Sequence, residues 1–329
     1  MKNRDFTRRE VLKASAILST ALFMGIDQVK GFHALEKTPP LSLTEIAKIE
    51  AALGKKGAYK EAEFTHTTPL PRNDLKIKIK GEAVPIPFGF GGWVSFKKTI
   101  NGKSAMVMSD TVLLQEEVNP MISAALANGL EIAAIHNHFF YEDPRIFYMH
   151  IHGMGSVEEL AKKYVDTIRE SKLFPANQPP ASTAPSATGK EIFDLPSLDA
   201  IVKYTGMVNG PTYKYTVGRD DIKIVAMGVE VTASIGLNSW ASFTGKQEDA
   251  HIAGDIAMLQ SEVNDVIKAL RKNNLEVVAV HNHMLGDDPH MIFLHYYGRG
   301  SANTLARGFR AALDILGKNK ETIMGSMKM

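Results

Sequence analysis

The chain of 329 residues contains no cysteine. This absence excludes disulfide bonds, thiolate zinc sites, cysteine-ligated iron–sulfur clusters and cysteine nucleophiles. Any metal ion must therefore bind to histidine, aspartate or glutamate side chains. Low-complexity bias is absent as well: 44% of the residues are hydrophobic and 22% are charged, which is the composition of a globular protein long enough for one large domain or two ordinary ones.

The sequence also lacks a long apolar run. The uncharged stretch from Ala14 to Ile26 has 13 residues, whereas a membrane-spanning helix needs about 20. Arg8 and Arg9 precede this stretch, and the combination resembles a twin-arginine export signal. We therefore expect residues 1–34 to direct export, to the periplasm or otherwise out of the cytoplasm, with no stable transmembrane span after processing. The alternative is an amphipathic first helix.

An excess of charge of one sign is missing too. The formal net charge is +2, and without residues 1–34, which carry six basic and three acidic side chains, it becomes −1. A nucleic-acid partner recognised through a phosphate-neutralising surface is therefore excluded. The sequence contains no polybasic run that would attract anionic lipids.

What the sequence does contain is an internal repeat. At an offset of 145 residues, Leu130–Ser156 aligns with Leu275–Ser301, and 12 of the 27 positions are identical. Asp110 meets Asp255 at the same offset. A repeat of this length is the size of a domain, far longer than the periods of solenoid proteins. Between the two halves, residues 174–196 contain five prolines, which indicates a linker.

The local patterns occur in the same order in both halves. Helical spacing ends at Gly54 in the first helix, alternating segments predict short strands, and Ser156 and Ser301 are the expected N-caps of each closing helix. Together they predict an α+β fold, a tandem duplication of a mainly antiparallel sheet with flanking helices; a cupin-like fold is the alternative. The expected organisation is an export signal at 1–34, repeat 1 at 41–172, a linker at 173–196, repeat 2 at 197–317 and a tail at 318–329.

Seven of the 11 histidines fall at matched or nearly matched places of the repeated segments. Residues two apart on a strand project to the same side about 6.5 to 7 Å apart, so two His-x-His pairs on paired strands bring their rings together. Imidazole nitrogens at this spacing are typical ligands of a divalent metal, for which zinc, manganese, iron and copper are the candidates. The predicted ligands are, in repeat 1, His136, His138, His150 and His152, and, in repeat 2, His281, His283 and His295.

Other polar residues accompany each set. Glu142 and Asp287 precede the Asp-Pro pairs and are the candidate general bases for metal-assisted catalysis. His251 and His290 are candidates to complete the second set or to contact a substrate, because Tyr297 occupies the position that matches His152. Two simpler interpretations remain open, namely turn chemistry for Asp143 and Asp288 of the Asp-Pro pairs and a structural hydrogen-bond network for the histidines.

Three segments carry a resemblance to a known family. They are Glu117–Pro120 with Asn128–Gly129, His136–His138 with Asp143–Pro144, and His150–Gly153. They resemble the LppY/LpqO family of bacterial exported domains over about residues 41–316. The resemblance implies shared fold and export but brings no activity with it. Namesakes of that family are lipoproteins, and this chain departs from them in having no cysteine for a lipid.

These observations support two classes of function. The first is an exported protein with a divalent metal in one or both repeats, acting on a small-molecule substrate. The second is a non-catalytic periplasmic module that binds a small ligand, with the histidines in a structural role.

Overall fold

The structure is a computed structural model that describes residues 38–180 and 187–317, all of which belong to one unit. The predicted export signal at 1–34 and the predicted tail at 318–329 lie outside the described residues. Within the described ranges, no helix is both long enough and apolar enough to cross a membrane.

The secondary structure follows the duplicated order. The helices are α1 (Leu43–Leu53), α2 (Val118–Ala127), α3 (Val157–Ile168), α4 (Gly189–Ile192), α5 (Leu195–Val202), α6 (Val263–Lys272) and α7 (Ala302–Leu313). The strands of repeat 1 are β1 (Ala58–Lys60), β2 (Thr65–Pro71), β3 (Ile77–Ile79), β4 (Glu82–Val84), β5 (Gly91–Lys98), β6 (Ala105–Leu114), β7 (Glu131–His136), β8 (Glu142–Asp143) and β9 (Ile146–Gly155). The strands of repeat 2 are β10 (Met207–Asn209), β11 (Thr212–Gly218), β12 (Ile224–Ala226), β13 (Val229–Val231), β14 (Asn238–Lys246), β15 (Asp249–Leu259), β16 (Glu276–His281), β17 (Asp287–Asp288) and β18 (Met291–Gly300).

Each repeat builds one large sheet of six strands. The order is β1-β2-β5-β6-β9-β7 in repeat 1 and β10-β11-β14-β15-β18-β16 in repeat 2, and neighbouring strands are antiparallel. The two orders correspond strand for strand, so the predicted α+β tandem duplication is confirmed. Both sheets are open rather than closed on themselves, which sets them apart from the cupin-like alternative. A smaller sheet of three strands accompanies each, β4-β3-β8 and β13-β12-β17.

The helix ends agree with the capping residues expected from the sequence. The Ser156 and Ser301 hydroxyls accept hydrogen bonds from the N–H groups of Glu159 and Thr304, at 3.2 and 3.4 Å. These bonds satisfy N–H groups that have no partner inside the helix. Helix α1 ends at Gly54 in the left-handed conformation, with φ of 62°.

Strand β6 illustrates how each sheet separates two cores. Val107 packs on the side covered by α1 and α3, in a core made from repeat 1 alone. Its neighbours Met106 and Met108 point the other way, into a core that they share with Ile224 and Val229 of repeat 2. Because successive side chains alternate faces, one face of the sheet contacts its own helices and the other contacts the second repeat.

The repeats are joined by two reciprocal arms. Arm 1, residues 77–88, crosses to repeat 2, where Glu82 lies 3.1 Å from His251 and 2.6 Å from Arg299. Arm 2, residues 224–235, crosses to repeat 1, where Ser234 donates its N–H to Glu63 at 2.7 Å. This exchange places the inner faces of the two sheets against each other.

The edge strands β7 and β16 meet at the centre of this interface. The Asn282 side chain, just after β16, donates a hydrogen bond to the Ala133 carbonyl of β7 at 3.0 Å. The contact brings together the two strand ends that carry the first His-x-His pair of each repeat.

The segment predicted as a linker contains short helical turns at Pro175–Asn177 and α4. Gln178 donates to Asp74 of repeat 1 at 3.0 Å, and the Gly189 N–H donates to Gly210 of repeat 2 at 2.8 Å. The two ends of the segment are therefore bound to different repeats. The domain boundaries at 41–172, 173–196 and 197–317 stay predictions.

A tight backbone contact in β15 gives a first testable prediction. A Cβ atom at Gly254 would lie 2.1 Å from the Trp240 carbonyl oxygen and 2.3 Å from the Tyr296 hydroxyl. Because the backbone oxygen cannot move aside, we expect Gly254→Ala to lower the free energy of unfolding by at least about 2 kcal/mol in urea titrations. Gly91→Ala is the control, since a Cβ there meets nothing within 4 Å; equal stability of the two variants would contradict the prediction.

Candidate metal centre

His136 at the end of β7 and His281 at the end of β16 form the centre of the site. Their rings are stacked, with centroids 3.8 Å apart and planes at 18°. On the neighbouring strand β9, His150 pairs with Ala134 in a register interrupted by a bulge, and its ring lies 5.0 Å from that of His136. The expected pairing of the two His-x-His strands is therefore present in repeat 1, and β16 and β18 repeat it.

Six imidazoles make up what we call the histidine cluster. They come in equal numbers from the two repeats, and are His136, His138, His150, His281, His283 and His295. The sequence assigned the ligands to separate sets within each repeat, whereas the structure joins them. The reason is the contact between β7 and β16, which local sequence patterns do not reveal.

The cluster has an approximate twofold symmetry that follows the repeat. Ring contacts occur in pairs related by the 145-residue offset, with centroid distances that agree closely. The pairs are His136–His150 and His281–His295 at 5.0 and 4.8 Å, His138–Tyr148 and His283–Phe293 at 3.3 and 3.4 Å, and His138–His295 and His150–His283 at 3.6 and 4.2 Å.

Most of the ring nitrogens in the cluster are buried without a hydrogen-bond partner among the described residues. They comprise both nitrogens of His136, His138 and His281 and Nε2 of His150 and His295. A buried polar atom without a partner costs about 1–3 kcal/mol. Native proteins therefore retain such atoms in numbers only where they have a function.

Two of the rings are held with one nitrogen directed inward. Nδ1 of His150 donates to the Ser109 carbonyl at 3.2 Å, and Nδ1 of His295 donates to the Gly254 carbonyl at 3.1 Å. A carbonyl accepts only, so the proton of each neutral ring is on Nδ1 and the Nε2 lone pair is free. Backbone carbonyls orient metal-binding imidazoles in this way.

Three groups of side chains bring possible ligand atoms within 4.8 Å of one another. They are His136 with His281 and His295, His150 with His281 and His283, and Asp110 with His136 and His138. Bonds from zinc to nitrogen are about 2.1 Å, so ligand atoms lie at most about 4.2 Å apart around an ion. Small side-chain rotations would therefore close any of the three groups around one ion, and both all-histidine groups combine the two repeats.

Asp110 and Asp255 are the carboxylates of the site, and sequence analysis assigned them no role. Asp255 Oδ2 lies 3.2 Å from His283 Nε2, while Asp110 Oδ1 has no partner among the described residues. Burial raises the pKa of Asp255 to about 6 and the pKa of Asp110 well above its usual value. The signal in the sequence was their match at the repeat offset on strands adjacent to the histidine strands.

Three of the histidines that the sequence analysis named lie outside the cluster. His152, a predicted ligand, donates from Nε2 to the His283 carbonyl at 2.7 Å and so braces a neighbouring ligand. His251 bonds Tyr297 at 2.8 Å and Glu82 at 3.1 Å, and His290 lies 3.0 Å from Asp287.

The two predicted bases make contacts with the turns in which they lie. Glu142 accepts the N–H of Ile146 at 3.3 Å, and Asp287 accepts the N–H of Met291 at 2.7 Å. Neither carboxylate belongs to the three groups that could hold a metal. Their role as bases stays a prediction, and their observed contacts stabilise the turns after β8 and β17.

A cavity of about 140 Å³ adjoins the cluster on the side of repeat 2. Asp255, His283 and His295 line it, and Trp93 and Trp240 form part of its wall. At about 30 Å³ per molecule, the volume holds about four or five waters. The cavity thus has room for a small molecule.

Burial of the cluster histidines is expected to make the metal-free protein less stable at acidic pH. Burial, followed by repulsion from neighbouring rings, lowers the pKa of His281 to about 3, and burial lowers that of His283 to about 3. In the unfolded chain, the pKa of a histidine is about 6.5. Between pH 6.5 and 3 the unfolded chain therefore binds more protons, and stability falls as the pH falls.

We expect urea titrations of chelator-treated protein to show this loss between pH 7.5 and pH 5.0. His283 alone accounts for about 2 kcal/mol. Asp255 and Asp110 act in the opposite direction, because burial raises the pKa of each carboxyl, but the six cluster histidines, whose pKa values are lowered, outnumber them. Stability that is unchanged or higher at pH 5.0 would contradict the prediction.

One comparison with known proteins shows the duplication, and none of them indicates a chemistry. A family model described as Domain of Unknown Function (DUF1259) matches residues 47–170 and again residues 196–315. No curated protein matches the chain. Among solved structures, the chain is similar to a trimeric bacterial microcompartment shell protein, PduB, at 10% identity over 83% of this chain and 93% of that one, with a TM-score of 0.20. A TM-score this low does not indicate a shared fold, and the resemblance to the LppY/LpqO family stays a prediction.

Proposed function

The chain belongs to the family described as Domain of Unknown Function (DUF1259), and we propose that it is a metal-binding protein whose divalent ion is shared by its two repeats. The histidine cluster holds the ion. Ligands come from β7 and β9 of repeat 1 and from β16 and β18 of repeat 2, so the duplication itself forms the site.

The observation that carries this proposal is the set of eight buried imidazole nitrogens in the histidine cluster that have no hydrogen-bond partner in the described part of the chain. Burial lowers the pKa values of these histidines, which keeps the rings neutral and their lone pairs available near neutral pH. Once one ring of the cluster is protonated, its positive charge disfavours protonation of the neighbouring rings. A divalent ion, in contrast, accepts lone pairs from several neutral rings at once. A purely structural network would instead pair each donor with an acceptor.

The donor set favours a transition metal over magnesium or calcium. Imidazole nitrogens are suitable ligands for zinc, iron and copper, whereas magnesium and calcium prefer oxygen ligands. Asp110 and Asp255 add carboxylate oxygens, which keeps manganese among the candidates. Zinc, manganese, iron and copper are therefore the ions to test.

We extend the proposal to metal-dependent chemistry on a small molecule. His283 and His295 face the cavity, so an ion bound there would have a coordination position open to a substrate or water, as catalytic sites require. Asp255, 3.2 Å from His283, is the carboxylate best placed to orient a bound water. The alternative is a module that binds a small ligand without transforming it, and turnover in the presence of the ion separates the two.

We also propose that the protein is exported by a twin-arginine signal in residues 1–34. Arg8, Arg9 and the uncharged stretch after them support it. The twin-arginine route carries folded proteins, so the ion could be bound before export. Fusion of residues 1–40 to a reporter tests the signal: Arg8→Lys with Arg9→Lys should retain the reporter in the cytoplasm, and unchanged export would contradict the proposal.

Metal analysis of the purified protein, expressed without a histidine tag, tests the central proposal. We expect at least one transition-metal ion per chain by mass spectrometry, removed by a strong chelator and recovered on adding back the metal. A metal content near zero that does not rise on incubation with zinc, manganese, iron or copper would overturn the proposal.

A further inference from the structure

The cavity beside the cluster contains an ammonium group that the metal proposal does not use. Lys214 of β11 lines the cavity together with both tryptophans and both cluster carboxylates. It is half-buried, and its Nζ lies 4.5 Å from the centre of the Trp240 ring. Among the ion pairs of the described residues, none joins this ammonium to a carboxylate within 4.0 Å.

Lys214 breaks the symmetry of the duplication. An offset of 147 residues relates the strands on this side of the two sheets, and it aligns Trp240 with Trp93 and Lys214 with Thr67. The Thr67 hydroxyl bonds Ser95 at 2.7 Å and the Ser234 carbonyl of arm 2 at 3.3 Å. In repeat 1, therefore, protein groups satisfy the matching position, whereas in repeat 2 a cation faces a cavity.

We propose that this cavity binds a small monocarboxylate, with its anionic group on Lys214 and an oxygen directed to the metal centre. The inference rests on the proposed metal centre for the second contact. Asp110 and Asp255 share the lining with this ammonium but form no ion pair with it within 4.0 Å, so an anionic ligand would supply the direct contact that a charged group in a confined, partly apolar pocket needs.

Three features narrow the class of ligand. The volume of about 140 Å³ excludes nucleotides and sugar phosphates and admits an acid of a few heavy atoms. The carboxylate of Asp255, which shares the lining, disfavours a dianion such as sulfate more strongly than a monoanion, because like charges repel at close range. The indole rings of Trp93 and Trp240 provide flat walls that suit a planar carboxylate.

The chain supplies its own reporter for this binding. It contains two tryptophans, and both line the cavity. Zinc-loaded full-length protein titrated with glycolate should show a saturable change in tryptophan fluorescence, since zinc does not quench the rings. The neutral analogue glycolamide and the dianion sulfate should need at least 10-fold higher concentrations.

Substitutions of the lysine identify its role. We expect Lys214→Met and Lys214→Gln to raise the dissociation constant of glycolate at least 10-fold while zinc content stays at the wild-type level. Lys78→Met is the matched control, because it removes an exposed lysine that does not line the cavity. This variant should bind glycolate as the wild type does.

The outcomes separate this inference from the metal proposal. Protein that binds no zinc overturns the proposed function, and the inference falls with it. Protein that binds zinc but shows no saturable response, or that binds glycolamide or sulfate as well as glycolate, overturns the carboxylate site alone. Wild-type glycolate affinity in both lysine variants does the same.

Discussion

Replacing His281 by alanine is expected to lower the affinity for the metal ion by about 100-fold or more. His281 belongs to both all-histidine groups and stacks on His136 at 3.8 Å. Structural zinc sites bind with about 10–16 kcal/mol through four ligands, so one ligand accounts for about 3 kcal/mol. Competition of the purified variant against a fluorescent zinc chelator measures the loss.

The shared site predicts that both repeats are needed. His136→Ala should weaken binding as much as His281→Ala, although the two residues are 145 positions apart. His251→Ala and His290→Ala remove histidines that lie outside the cluster and should leave affinity unchanged. If His281→Ala lost the metal but neither His136→Ala nor His150→Ala did, the ion would belong to repeat 2 alone and the account of a shared site would be wrong, because these two residues are the repeat 1 members of the two all-histidine groups.

The largest effect on stability is expected from Arg219→Met. The guanidinium donates to Glu262 at 2.8 and 3.2 Å and to the Ala257 carbonyl at 2.7 Å, and the Glu262 side chain is 0% exposed. The substitution leaves the Glu262 carboxylate buried without a cationic partner, with only the N–H groups of Leu259 and Gly317 bonded to it, and breaking a buried ion pair in this way typically costs about 3–5 kcal/mol. Urea unfolding followed by circular dichroism measures the loss.

The duplication offers a matched control for this pair. Arg72 makes the same contact with Glu117 in repeat 1, at 2.7 Å, but the Glu117 side chain is 21% exposed. Water reaches that carboxylate, so Arg72→Met should destabilise the protein clearly less. Adding Glu262→Leu to Arg219→Met should recover part of the loss by removing the stranded charge. Equal losses in the two single variants, or no recovery in the double variant, would contradict this reasoning.

Local chemistry explains why much of the fold was predictable from the sequence. Gly54, Ser156 and Ser301 specify helix ends through bonds to their own helices, and the alternating strands expose their period in the sequence. The repeat at offset 145 revealed the duplicated order. These features depend on neighbours along the chain.

The features that escaped prediction depend on contacts between the repeats. No local pattern indicates that arm 1 and arm 2 are exchanged or that the ends of β7 and β16 meet. For that reason the sequence assigned His136 and His281 to separate sets. His152 keeps the expected spacing, but its Nε2 faces the His283 carbonyl of the other repeat. Lys214 and Asp255 become candidate functional residues only in the folded structure, where both line the cavity.

A crystal structure of the metal-loaded protein, with diffraction data collected at the absorption edge of the bound metal, tests the shared centre most directly. The account predicts an anomalous peak between the ends of β7 and β16, bonded to imidazole nitrogens of both repeats. A peak elsewhere, or one bonded to the histidines of a single repeat, would contradict it.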